Sequence, residues 1–248
     1  MKFTIITACR NNENTIEDTI KSVCSQTYKD IEYLIIDGKS DDKTLEIAEK
    51  YADKISKIVS EKDGGIYHAL NKGIEMATGD IIGFIHADDF YENEFVIEKI
   101  SKRFIEENFD SAYADLCYVD KENTQKIIRY WKSGEFSLQK MKNGWMPPHP
   151  TFFVKKNIYE KFGKFDTRFS IAGDYDCVLR FLYKNKISVF YLPQTIIKMR
   201  VGGASNKSLK NIFRKMKEDL AAMSNNNVGG IFTLLSKNLR KIPQLFIK

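Results

Sequence analysis

Up to Asp89, short apolar runs alternate with segments of helical periodicity, and each run stops at polar residues. Phe3–Ala8, Ile31–Ile36, Ile55–Ser60 and Ile81–His86 read as strands. Thr15–Gln26, a segment capped by Ser40 or Asp41 that runs through Tyr51, and Ile66–Ala77 read as helices. Strand–helix units joined by short connections predict an α/β domain, a Rossmann-like and mostly parallel central sheet with helices on both faces. In such a sheet the polar strand ends gather at one edge, where ligands bind.

The alternation continues with a helix at Glu94–Glu107 and a strand at Ser111–Val119, then loosens. Trp131–Pro150 is rich in Gly, Pro and aromatics, which suits a substrate-facing loop better than a linker. Thr151–Val154 is a short strand, Asn157–Phe162 a short helix and Gly173–Lys184 a stronger one. From Lys207 the chain is helical, with breaks at Asn225-Asn226-Asn227 and Gly229-Gly230.

At 43% apolar and 12% aromatic, the 248 residues are a folding chain and not a disordered one. The net charge of +6 is uneven: from Ser205 onward nine Lys/Arg stand against two Asp/Glu, leaving the preceding body close to neutral. A basic tail on a near-neutral body points to an anionic membrane surface and away from nucleic acid, which would need basic groups on the body itself. Cys9, Cys24, Cys117 and Cys177 are scattered without a CxxC pair and read as reduced core residues. The opening strand without a leader pattern, and the lack of a long apolar span, predict a cytoplasmic protein whose tail touches the inner face of the cell membrane.

Chemistry concentrates at the strand ends. The stretch Gly79–Tyr91 is an apolar run ending in Asp88-Asp89, which reads either as a site for a divalent ion carrying phosphates or as an acidic turn before the next helix. Asp37, directly after Ile35-Ile36, is placed to accept a hydrogen bond from a base or ribose, and Asp63-Gly64-Gly65 offers backbone N–H groups beside a carboxylate. Each alone could start an ordinary turn. Thr7, Asp37, Asp63 and Asp88 together, all at the ends of apolar runs, argue for one site.

Along residues 1–204 the chain resembles the family 2 glycosyltransferases, inverting enzymes of the GT-A fold. The resemblance rests on Thr7-Ala8-Cys9-Arg10-Asn11, Leu34–Thr44 around Asp37-Gly38, Asp63-Gly64-Gly65-Ile66-Tyr67 leading to Asn71-Lys72-Gly73, Ala77-Thr78-Gly79-Asp80, His86-Ala87-Asp88-Asp89 and His149-Pro150-Thr151-Phe152-Phe153. It implies a nucleotide-sugar part over about residues 1–120 and an acceptor part over about 121–204. The donor-binding set would be Thr7, Ala8, Arg10, Asp37, Asp63, Lys72, Asp88 and Arg200, with Asp37 and Thr7 at the nucleobase. Asp88 and Asp89 would hold ribose and a divalent metal, Mn2+ or Mg2+. Many members carry an acid where His86 stands; an imidazole ligates Mn2+ better than Mg2+, so metal ligation rests mainly on Asp89.

Glycosyl transfer needs a carboxylate base near the acceptor hydroxyl. In the family this base follows a Glu at a helix start. Here Gly173 replaces the Glu and Asp174 is retained, while Asp176 would face about 200° away on the same helix. Trp145 and His149 would flank the acceptor sugar, and Arg200, before Gly202-Gly203, would close over the diphosphate. The tail interleaves Ile231, Phe232, Leu234, Leu235, Leu239, Ile242, Leu245, Phe246 and Ile247 with Lys237, Arg240, Lys241 and Lys248. That pattern reads as a helix lying in a membrane interface, or as one packing on the domain.

The reading is thus a metal-dependent transferase of hexosyl or N-acetylhexosaminyl units from a nucleotide-activated sugar, a UDP-sugar in first place, to a saccharide or lipid-linked glycan in surface polysaccharide biosynthesis. A sugar-nucleotide pyrophosphorylase, which should show a glycine-rich loop after the first strand, and a catalytically silent membrane-bound scaffold are the competing readings.

Overall fold

A computed structural model describes residues 1–202 and 209–239. In chain order its elements are β1 (Phe3–Cys9), α1 (Ile16–Cys24), β2 (Ile31–Asp37), α2 (Thr44–Glu49), β3 (Lys57–Ser60), α3 (Ile66–Met76), β4 (Ile81–Phe84), β5 (Asp89–Tyr91) and α4 (Val96–Glu107). They continue as β6 (Ser111–Val119), β7 (Ile127–Trp131), α5 (Leu138–Lys142), β8 (Phe153–Lys155), α6 (Lys156–Phe162), α7 (Gly173–Val178), β9 (Val189–Arg200), α8 (Leu209–Asn225) and α9 (Ile231–Leu239). A π-helical stretch, Leu179–Lys184, prolongs α7.

The sheet runs β3-β2-β1-β4-β8-β6-β9-β5, with β7 paired to β6. Its first half is parallel, as the β-α repeat predicts: β1 pairs with β2 and β4, and β2 with β3. Beyond β4 it is mixed, because β8 enters antiparallel between β4 and β6. Strand alternation sorts the core onto two faces. Ile6, Ala8, Leu34 and Ile36 join one cluster with Tyr67, Leu70 and Tyr175, while Phe3, Ile5, Tyr33 and Ile35 join the other with Ile16, Ile20 and Phe104.

Two departures from the sequence reading shape the site. The run expected as Ile81–His86 ends its strand at Phe84, and Asp89 opens a separate short strand opposite Met199 of β9. The half-buried β7 and β9, unassigned by periodicity, are strands because β6 offers them both edges; β9 shifts register against Ala114–Leu116 and so shows no clean alternation.

The tail from 209 to 239 packs on the domain. Ala222, Met223, Val228 and Leu234 are buried in the same core cluster as Tyr175 and Trp145. Thr233 and Ser236 donate hydroxyl hydrogen bonds to the Lys142 and Asn143 carbonyls at 2.8 and 2.9 Å. Ile231, Phe232, Leu235 and Leu239 remain exposed. Gly203–Ser208 and Arg240–Lys248, including Lys241, Ile242, Leu245, Phe246 and Ile247, lie outside the described residues.

Candidate active site

Asp174 sits in the first turn of α7, half-buried, with the Tyr67 hydroxyl 3.3 Å from its Oδ1 and 2.8 Å from the Ile171 carbonyl. The glycine that stands in place of the family's Glu has a local cause: a Cβ on Gly173 would come within 2.8 Å of the Tyr67 ring. The loop entering α7 is fixed from the tail. The Glu218 carboxylate accepts the backbone N–H groups of Ser170, Ile171 and Ala172 at 2.7–3.0 Å, and the Ser170 hydroxyl. Partial burial opposes ionisation of Glu218, but these donors hold it below the usual carboxylate range. Asp176 faces away, as its position on the helix predicts, and is ion-paired to Arg180 at 2.8 Å.

Asp174 lines a cavity of about 960 Å³ together with His86, Trp145, His149 and Tyr175. His149 is stacked on Phe84 at 5.3 Å, and its ring lies 6.1 Å from that of His86. Burial pulls its pKa down to about 4, with Asp174 opposing and His86 adding to the fall. His149 is therefore neutral at pH 7. Trp145 contributes an apolar wall, since its indole N–H is committed to the Ser133 carbonyl at 2.8 Å.

At the strand ends several expected ligands are engaged by neighbours. Asp37 is fully buried; its carboxylate accepts the Ser40 N–H at 3.0 Å, the Ser60 hydroxyl at 2.6 Å and the Ser40 hydroxyl. A nucleobase would have to displace one of these donors. Thr7 cannot present its hydroxyl to a base without turning, because the side chain lies on the core face of β1, 3.1 Å from Tyr33 Oη. Ala8 is buried in the opposite core. Lys72 is clamped by Asp63 and Glu61, both at 2.6 Å. Arg10 is exposed beside Gly38.

Arg200 is not an open clamp over a diphosphate. Only 5% exposed, it pairs with Asp18 of α1, donates to the Asp88 carbonyl at 2.9 Å and lies over the Phe90 ring. It fastens the Asp88–Asp89 turn to α1. Asp89 is fully buried, and neither of its carboxylate oxygens has a hydrogen-bond partner among the described residues. Burial and the adjacent Asp88 raise its pKa well above the ordinary value, against the pull of Arg200.

Asp88 and His86 are the half-exposed members of the turn. A carboxylate and an imidazole suit a divalent ion whose remaining ligands are water and substrate phosphates. Among the described residues no group of three or more His, Cys, Asp or Glu could hold a metal alone.

A mixed α/β sheet with carboxylates at its strand ends, and a helix-borne carboxylate in a cavity reached by His86, is the architecture of a GT-A glycosyltransferase. The chain belongs to glycosyl transferase family 2, whose model matches residues 4–168. It is similar to a PGL/p-HBAD biosynthesis glycosyltransferase of Mycobacterium bovis, 27% identical over 217 residues, 86% of this chain and 82% of the relative. An uncharacterised glycosyltransferase of Mycobacterium tuberculosis is 29% identical over 71% of this chain and 67% of its own. In fold it is similar to S. aureus TarS residues 1–349, solved with UDP-GlcNAc (TM-score 0.75, 18% identity, 98% of this chain and 73% of that one). It is also similar to the Pyrobaculum calidifontis mannosyltransferase PcManGT, solved with GDP-Man and Mn2+ (TM-score 0.66, 16% identity, 99% and 73%).

The sequence reading missed Tyr67 and Glu218, which hold the Asp174 loop. A signal for Glu218 was present: Glu218 and Asp219 are the two acids in an otherwise basic tail.

Proposed function

We propose that this glycosyltransferase moves a sugar, with inversion, from a nucleotide-diphosphate sugar to a hydroxyl of a saccharide or lipid-linked glycan, with Asp174 as the base. The observation that carries this is the meeting of Asp174, His149 and His86 on one cavity. Asp174 takes the acceptor proton as the new bond forms at the anomeric carbon and the bond to the β-phosphate oxygen breaks. Neutral His149 keeps its own part of the cavity wall free of positive charge. Asp88, Asp89 and His86 would hold a divalent ion, which when bound acts as a Lewis acid toward the departing diphosphate. Asp37, Asp63 and Arg10 frame the nucleotide side, and Arg200 acts through the Asp88 turn.

A UDP-sugar is the proposed donor, hexosyl or N-acetylhexosaminyl; the UDP-GlcNAc complex of TarS supports that choice. A thermal-shift panel of UDP, GDP, CMP and dTDP sugars, with and without Mn2+, tests it. A metal-enhanced shift with UDP sugars is expected, and no shift with any nucleotide sugar overturns the reading.

No helix among the described residues is long and apolar enough to cross a membrane. We place the enzyme peripherally on an anionic membrane face, in surface polysaccharide biosynthesis. Supporting this are the outward Ile231, Phe232, Leu235 and Leu239 of α9, 65%, 88%, 50% and 62% exposed, beside a basic tail. Phe232→Ser with Leu235→Ser should abolish co-sedimentation with vesicles containing phosphatidylglycerol; retained binding would remove the membrane assignment.

A further inference from the structure

The same cavity has a second polar wall that the reaction above does not use. Three helices each supply one residue to it: Tyr175 from α7, Asp219 from α8 and Lys237 from α9. All are buried, at 1%, 1% and 6% exposure. Lys237 Nζ lies 2.7 Å from Asp219 Oδ1 and 3.2 Å from the centre of the Tyr175 ring.

The pairing is incomplete. Asp219 Oδ2 and Tyr175 Oη have no hydrogen-bond partner among the described residues. The ammonium spends one N–H on Asp219 and turns its charge toward an aromatic face. A buried donor or acceptor left unmatched is costly, and two stand here beside one ammonium on one cavity wall. Burial already lowers the pKa of Lys237, with Asp219 opposing.

The placement of Lys237 is built into the chain. Gly144 has φ +79°, and a Cβ there would lie 2.6–2.7 Å from the Lys237 Cβ, Cα and N. Only glycine lets α9 approach so closely, so the tail helix is seated with Lys237 inward.

We propose that Tyr175, Asp219 and Lys237 form the acceptor subsite, and that it binds a neutral, hydroxyl-bearing sugar. A hydroxyl donates and accepts at once, which matches an orphaned carboxylate oxygen beside an under-used ammonium. A neighbouring hydroxyl on the same ring meets Tyr175 Oη. The wall is an ion pair with no net charge, so it favours a polyol over an anion. Tyr175 directly follows Asp174, which sets the bound sugar next to the base. This assignment rests on the glycosyltransferase reading of the same cavity.

The test uses the full chain with UDP and saturation-transfer NMR of glucose, galactose, rhamnose, N-acetylglucosamine and glucuronate. At least one neutral sugar should receive saturation, and more than glucuronate does. Tyr175→Phe removes a hydroxyl that makes no internal hydrogen bond, so its Tm should stay level or rise while sugar affinity falls roughly fivefold. The double variant Asp219→Leu with Lys237→Met exchanges the pair for apolar volume and should abolish sugar binding while α9 stays docked. UDP affinity should be unchanged in both. Saturation of no neutral sugar, preference for glucuronate, or wild-type sugar affinity in Tyr175→Phe overturns the subsite. Failure of the wild type to bind UDP overturns instead the donor reading beneath it.

Discussion

The strand ends and the helical wall of the cavity treat most of their polar groups differently. At the strand ends, Asp37 is saturated by Ser40 and Ser60, Lys72 is held between Asp63 and Glu61, and Arg200 is tied to Asp18 and the Asp88 carbonyl. On the helical side, Tyr175 Oη and Asp219 Oδ2 are buried without partners. A saturated network is rigid before any ligand arrives, whereas a partly matched wall is completed by what binds there. Apart from Asp89 and Asp63 Oδ2, the strand-end side is thus a fixed frame, and the helical side is the proposed receptor.

The largest test of that contrast is Asp174→Asn, which keeps shape and removes the proposed base. Transfer should fall by about 10²- to 10⁴-fold while UDP affinity, measured by calorimetry, stays within about twofold. Near-normal turnover would move the base elsewhere.

Next comes His149. Its folded pKa of about 4 lies below the ordinary 6.5, so the unfolded chain binds the extra proton. Stability should therefore be full above pH 6.5 and decline as pH falls toward 4, by up to roughly 3 kcal/mol. Denaturant melts of the wild type and His149→Phe should diverge across that window. Parallel curves would mean that His149 titrates normally and that the wall beside Asp174 carries charge.

Gly144→Ala tests whether the helical wall depends on the tail. Left-handed backbone at a non-glycine residue costs about 1–3 kcal/mol, and the added methyl also collides with α9. A lower Tm and faster proteolysis near Asn225–Gly230 are expected, with UDP binding kept. An unchanged Tm would show that α9 is seated differently.

The smallest effect is expected for Glu218→Gln, which weakens charge-assisted bonds to the Asp174 loop by about 1–2 kcal/mol. It should lower kcat more than donor KM. Because Glu218 is held below the usual carboxylate range, the stability it provides is present at neutral pH and lost as pH falls through that range. The Gln variant should flatten that part of the acid profile.

Much of the frame was legible locally. The alternation of period two and period 3.6 located β1 to β4 and α1 to α3, because each is a regular element with one or two buried faces. Helix geometry, about 200° over two residues, separated Asp174 from Asp176. The strands β7 and β9 were not legible, since half-buried strands with a shifted register carry no clean alternation. The partners of Asp37, Lys72 and Arg200 were also hidden, because a strand-end carboxylate looks the same in sequence whether it faces a ligand or a serine.

The sequence by itself determined the α/β class and the glycosyltransferase family, since these depend on residue order within single elements. Only the tertiary structure decided that Asp89 is buried without partners, that Arg200 braces a turn and that a basic, apolar tail carries Lys237 into the cavity. Those outcomes depend on which distant side chains share a dry contact. An amphipathic pattern fixes that a helix has two faces, but not which surface covers each.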